Sequence, residues 1–138
     1  PEDGAEAWLR ENKSKLSPEN AWILSRLQRA ADATQKGLEN FELNLASHSL
    51  YTFTWNELCD WYIEFAKQPL REGGETRRQT LITLHYVLES VLNLLHPFTP
   101  FVTEQLWLSL PWKKAQTTPT RKRDGKPEIE TLMFQKFY

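Results

Sequence analysis

Two cap-then-proline devices, Ser17-Pro18 and Thr99-Pro100, and two breaks, Gln68-Pro69 with Gly73-Gly74 and His96-Pro97, constrain this chain more than any other feature. Between them, apolar residues recur at three- and four-residue steps, the period of an amphipathic helix. Ser17 suits an N-cap, Pro18 the first helical position and Glu19 the positive end of the helix dipole. The spacing of Trp22, Ile23, Leu27, Ala30, Ala31, Thr34 and Leu38 predicts a helix over 18–37, with Gly37 near its stop. After Glu39-Asn40-Phe41, the positions Leu43, Ala46, Leu50, Phe53, Leu58, Trp61, Tyr62 and Phe65 predict a second, long helix to Lys67, kinked near Trp55. Leu81, Leu84, Leu88, Val91, Leu92 and Leu95 mark a third, from Thr76 to about residue 96, where Pro97 disfavours helix in its neighbour. A short fourth helix follows Thr99-Pro100 and ends before Pro111. The fold class expected is all-α: an antiparallel helix bundle of three long helices plus a short fourth, with an extended C-terminal tail. Residues 1–16 form a linker or short helix, 17–110 the bundle, and 111–138 a basic loop and tail packing on it.

The chain has 138 residues, 40% of them apolar, which is enough to close one core. Its formal charge of -1 excludes a protein that holds nucleic acid by bulk electrostatics alone. The charge is uneven: 7 basic and 11 acidic residues in 1–70, 3 and 4 in 71–110, and 7 and 3 in 111–138. One cysteine, Cys59, forms no internal disulfide and, with three scattered histidines, gives no zinc-ligand spacing. A reducing, cytoplasmic setting fits, with no membrane span and no signal peptide. The absent initiator Met leads us to expect a piece of a longer chain.

Glycines at 4, 37, 73, 74 and 125 build neither a phosphate-binding loop nor a dinucleotide fingerprint, and no histidine stands beside a nucleophile elbow. No catalytic residue, metal site or cofactor is expected within these residues. Glu57, Asp60 and Glu64 share a helix face with Lys67, which reads as a salt-bridged, solvated row. Cys59 reads as a small buried side chain, His96 as a backbone-bonded residue at a helix end, and His85 as a partner of Glu89. Tyr51, Phe53, Trp55, Trp61, Tyr62 and Phe65 fall within fifteen residues, more than one helix face can bury. Trp61 and Tyr62 point about 100° apart on a helix, so at least one lies at a rim or meets a partner. Exposed aromatics beside amides and acids can stack on and read unpaired bases.

Three segments carry a family resemblance: Trp22-Ile23-Leu24-Ser25-Arg26-Leu27, then Tyr51 to Glu64 with its Trp-Asn-Glu-x-Cys-Asp-Trp-Tyr run, then Leu94 to Trp107 with His-Pro-Phe-x-Pro-Phe. Over residues 18–110 the chain resembles the helical anticodon-binding domain of valyl-tRNA synthetases. The first and third segments resemble the wider class I synthetases as well; the middle run favours the valyl group over the isoleucyl. Thr131-Leu132-Met133 resembles the short segment that follows the domain's last helix.

The resemblance implies a bundle that binds the anticodon stem and loop of a valine-accepting tRNA, while ATP-dependent valine activation and editing occur in other domains of the same chain. No nucleotide-binding signature of those domains occurs here, so the fragment itself is expected to be non-catalytic and to bind no cofactor. Phosphate contacts are expected from Lys67, Arg71, Arg77 and Arg78, a basic group at one end of the bundle, and base contacts from Asn56, Asp60 and Trp61. The family's opening Leu-Trp-Asn-Ala-x-Arg-Phe-like segment is absent from residues 1–16. That absence should bare an apolar groove, making a monomer whose groove is its surface for self-association. The competing readings are an isoleucyl or other class I anticodon-binding domain, and a helical protein-interaction module with no RNA role.

Overall fold

A computed structural model of the chain describes residues 2–110; the predicted extended tail and basic loop lie outside the described residues. Every regular element among them is helical. Helix α1 is Glu2–Glu11, followed by a 3-10 turn at Lys13–Lys15. Helix α2 is Pro18–Glu39, α3 is Leu43–Thr52, and α3 continues without a break through a π-helical segment, Phe53–Tyr62, into α4, Ile63–Glu72. Helix α5 is Gly74–Leu95 and α6 is Pro100–Ser109. The chain divides into two compact units, Pro1–Val91 and Leu92–Tyr138.

In the first unit, α2 begins where the capping signal lies: Ser17 Oγ accepts from the Asn20 N–H at 3.4 Å. Its core stripe is the expected one, with Ile23, Leu27, Ala30, Ala31 and Thr34 buried. The helix does not stop at Gly37 but continues to Glu39. Gly37 is there for close approach: a Cβ on it would lie 2.8 Å from the Cβ of Ala46 and 3.0 Å from the Ala46 backbone nitrogen. The left-handed residue that ends α2 is instead Phe41, with φ 59°. The Glu42 N–H reaches Gly37 O at 2.7 Å and the Phe41 N–H reaches Leu38 O at 3.2 Å, the paired bonds of a Schellman stop. A phenylalanine at that position carries a steric cost that glycine would not.

The long helix runs antiparallel to α2. Gly37 meets Ala46, Arg26 meets Glu57 and Asn20 meets Tyr62, so positions fall along one helix as they rise along the other. Its buried residues are Ala46, Leu50, Phe53, Leu58, Tyr62 and Ala66. The step from Phe53 to Leu58 is five residues, and this is where the helix widens: at its end the Ile63 N–H bonds to Leu58 O, five residues back. The widening replaces the expected kink at Trp55 and turns Trp61 and Phe65 out of the core. The helix also passes Pro69, where a stop was expected, and ends at Gly73, whose φ of 82° only glycine adopts readily.

At the far end of this contact, the Tyr62 hydroxyl donates to Asn20 Oδ1 at 2.8 Å, both residues being fully buried. Burial holds the Tyr62 phenol above its ordinary value of 10, reinforced by the charge of Glu19 and opposed by the nearby Thr83 hydroxyl of α5. Thr80, Thr83, Val87, Ser90 and Val91 are the buried residues of α5 in this unit, whereas Leu81, assigned to the stripe from sequence, is exposed.

In the second unit, Leu92 and Trp107 pack together with Leu110 beside them. Thr99 does not cap α6 with its side chain; its hydroxyl donates back to Leu95 O at 3.3 Å. His96 bonds through Nδ1 to the Thr103 hydroxyl at 2.8 Å rather than to a backbone group.

Three substitutions test this architecture by urea unfolding. Gly37→Ala should cost about 2 kcal/mol, because the α2–α3 contact must open. Phe41→Gly should add about 1 kcal/mol by removing the left-handed penalty. Tyr62→Phe should cost about 1–2 kcal/mol, since a buried amide oxygen loses its donor. The tyrosine also sets a pH dependence. Its folded pKa is raised, so the unfolded chain releases the proton first; the stabilising contribution is complete below pH 10 and declines as pH rises from there toward the folded value. Wild type should therefore lose more stability than Tyr62→Phe between pH 9 and 11, and parallel curves would contradict the assignment.

Candidate nucleic-acid interface

The π-helical segment decides which residues of the long helix face solvent. Leu58 and Tyr62 take the inward positions, so Asn56, Asp60 and Trp61 are all exposed on the first unit. Of the adjacent aromatic pair, Tyr62 is buried and Trp61 is 58% exposed, the division expected from their angular separation. Trp61 leans on Phe65 with ring centroids 6.0 Å apart, and Phe65 meets Trp22 of α2 edge-on at 6.4 Å. The indole is thus held by one ring while keeping area free for a planar partner.

The same register moves other residues from their expected places. Cys59 is exposed rather than buried, because Leu58 occupies the core position beside it. The acidic row is split: Glu57 turns inward to bridge Arg26, Glu64 pairs with Lys67, and Asp60 stands between them. The Glu57 bond holds the Arg26 guanidinium above its ordinary pKa. His85 sits 3.1 Å from Glu89, one turn along α5, as the spacing suggested.

The four basic candidates gather around the α4–α5 corner. Lys67 and Arg71 lie one turn apart on α4, Arg77 and Arg78 in the opening turns of α5, and Gly73 and Gly74 make the bend between them with φ of 82° and 68°. All four are exposed. Lys67 is engaged by Glu64, while Arg71, Arg77 and Arg78 have no acidic partner among the described residues. Ten residues separate Trp61 from Arg71, about 15 Å along the helix at 1.5 Å per residue. The base-contact candidates and the α4 phosphate-contact candidates therefore occupy two stations along the long helix, with Arg77 and Arg78 across the bend on α5, and not a single pocket. The arrangement suits an extended polyanion with stackable bases, and among the described residues no group of three His, Cys, Asp or Glu side chains could hold a metal ion. No described helix is long and apolar enough to cross a membrane.

Sequence reasoning passed over a second solvent-facing set on this unit. Tyr51 and Trp55 stack with centroids 6.3 Å apart and planes 5° from parallel. Beside them, α2 and α3 leave a groove containing Arg29 and His48. The signal was present as His48, Tyr51 and Trp55 at helical steps within an aromatic run too dense for one helix face to bury, but the sequence pattern singled out Trp61 rather than this pair.

Comparison with known proteins gives this arrangement its class. Residues 20–137 match the family described as the anticodon-binding domain of tRNA ligase, and the chain belongs to that family. Among curated proteins it is similar to the valine-tRNA ligase of Aquifex aeolicus, 44% identical over 108 residues, which is 70% of this chain and 9% of that protein. It is 43% identical to the valine-tRNA ligase of Geobacter sulfurreducens over 130 residues, 86% of this chain and 15% of that protein, and 47% identical to that of Fervidobacterium nodosum over 98 residues, 71% and 11%. The chain thus spans at most 15% of the length of these three relatives.

The register of the π segment is open to a chemical check. Cys59 should react with a disulfide reagent such as Ellman's in the native protein at a rate within about tenfold of the unfolded chain, as an exposed thiol does. Protection by orders of magnitude would place the thiol inward and the register one position off.

Proposed function

We propose that this domain binds the anticodon stem and loop of a valine-accepting tRNA and so positions it for the ATP-dependent ligation of valine carried out by other domains of a cytoplasmic parent synthetase. The family match over residues 20–137 carries the reading, and identity to valine-tRNA ligases at 43–47% directs it to valine. The domain contributes binding and not chemistry. It needs no cofactor of its own, ATP being the substrate of the parent.

The geometry supports a division of labour. Arg71, Arg77 and Arg78 at the α4–α5 corner, with Lys67 beside them, contact phosphates and set the register of the RNA. Asn56 and Asp60 offer amide and carboxylate groups to base edges, and Trp61 offers a stacking face. The near-neutral charge of the chain agrees with recognition of a few loop nucleotides by shape and hydrogen bonding. The domain acts as a monomer.

The test is the affinity for transcribed valine tRNA of the 138-residue chain and of its Arg77→Ala/Arg78→Ala variant at low salt. Loss of two phosphate contacts should weaken binding about tenfold or more and reduce the slope of log affinity against log salt by about 1.5–2. Unchanged affinity and slope would remove the corner from the interface.

A further inference from the structure

Helices α2 and α3 enclose an open groove of about 300 Å³. Arg26 and Arg29 line it from α2, and His48, Ser49 and Thr52 from α3. The ring of Phe53, 2% exposed, backs it. Glu57 also reaches this space, but its charge is answered by Arg26. That leaves Arg29 as an exposed guanidinium with no acidic partner among the described residues, facing two hydroxyls and an imidazole.

The groove has an aromatic border. His48, Tyr51, Thr52 and Trp55 fall at steps of three and four residues, so the two rings stand next to the His48 edge of the groove. Tyr51 is 61% and Trp55 58% exposed, and their rings lie 5° from parallel. A solvated guanidinium, hydroxyl donors and a stacked aromatic pair are what a single strand of nucleic acid needs at one nucleotide: a cation and donors for the phosphate, a π-face for the unpaired base.

We propose that the α2–α3 groove is a second RNA site, taking a phosphate of an unpaired strand between Arg29 and the Ser49 and Thr52 hydroxyls while the adjoining base stacks on Trp55 and Tyr51. It rests on the reading of this domain as an RNA binder, but it requires no anticodon and none of the corner arginines. Because stacking tolerates any base, the site adds affinity for unpaired nucleotides without sequence choice.

The experiment titrates the 138-residue chain with fluorescein-labelled hexa-adenylate, which has phosphates and unpaired bases but no stem and no anticodon. Binding should be measurable at low salt, and Arg29→Ala and Trp55→Leu should each weaken it about tenfold. Arg29→Lys and Trp55→Phe should restore much of the loss. Helical circular dichroism and the urea midpoint report whether each variant is folded. No measurable binding, or Arg29→Ala and Trp55→Leu within twofold of wild type while folded, overturns the site. So does a dimer, seen by sedimentation, that Trp55→Leu dissociates, since the rings would then belong to a protein contact. The two readings separate cleanly. A chain that binds valine tRNA through Arg77 and Arg78 but ignores hexa-adenylate keeps the anticodon reading and loses the groove; one that takes hexa-adenylate in the groove but binds valine tRNA equally well after Arg77→Ala/Arg78→Ala keeps the groove and removes the corner from the interface.

Discussion

The change from four-residue to five-residue backbone bonding between Phe53 and Tyr62 governs what the long helix shows to solvent. An α-helix carries its buried stripe forward by three or four residues at a time. Here the stripe must cross from Phe53 to Leu58, and the extra residue accumulated in the widened turns makes both inward. Without it, keeping Phe53 in the core would turn Glu57 toward the core and Leu58 toward its edge. The widening thus supports the core and at the same time frees Asn56, Cys59, Asp60 and Trp61. Such segments are uncommon and concentrate at functional sites, which agrees with its position here among the residues suited to RNA.

The second constraint is that α2 approaches this helix at fixed points. Gly37 against Ala46 brings the backbones together at one end; the Tyr62–Asn20 hydrogen bond closes the other. Between them the Arg26–Glu57 bridge spans the partly buried edge. A buried phenol whose hydroxyl has a single acceptor tolerates little sliding, because a one-residue slip would strand both polar groups. The contact is therefore set in register as well as in distance. This matters for function because Arg29 on α2 and His48 on α3, and Trp22 on α2 and Phe65 on α4, come together only in that register.

Much of this was legible from residue order. Ser17-Pro18-Glu19 marks the start of α2, and the Ile23, Leu27, Ala30, Thr34 stripe reads directly as its buried face, because a straight α-helix obeys one period. The opposed fates of Trp61 and Tyr62 followed from the angle between neighbours. What escaped reading involves residues that act through a second element. Gly37 looked like a stop because its partner Ala46 was not yet in place. Phe41 gave no sign of a left-handed backbone, a conformation in which glycine or asparagine is the usual signal. Cys59 was assigned inward because an α-helical period was carried through a segment that does not have one; the five-residue gap from Phe53 to Leu58 was the available clue. Thr80 and Thr83 were passed over as core because the stripe of α5 was drawn through its leucines, yet both threonines are buried while Leu81 is exposed.

The candidate interface was legible in composition but not in layout. Residues 71, 77 and 78 are exposed cations and Trp61 is an exposed indole, yet Trp61 and Arg71 are two stations about 15 Å apart along the long helix, with Arg77 and Arg78 across the bend on α5. A hairpin loop with its phosphates and splayed bases is long enough to meet both. The most direct measurement of that account is binding of this chain to valine tRNA and to the same tRNA carrying another anticodon, each titrated across salt. Tighter binding to the valine anticodon that persists as salt rises is the result expected of base readout; equal binding that disappears with salt would contradict it, leaving only contacts to the phosphate backbone.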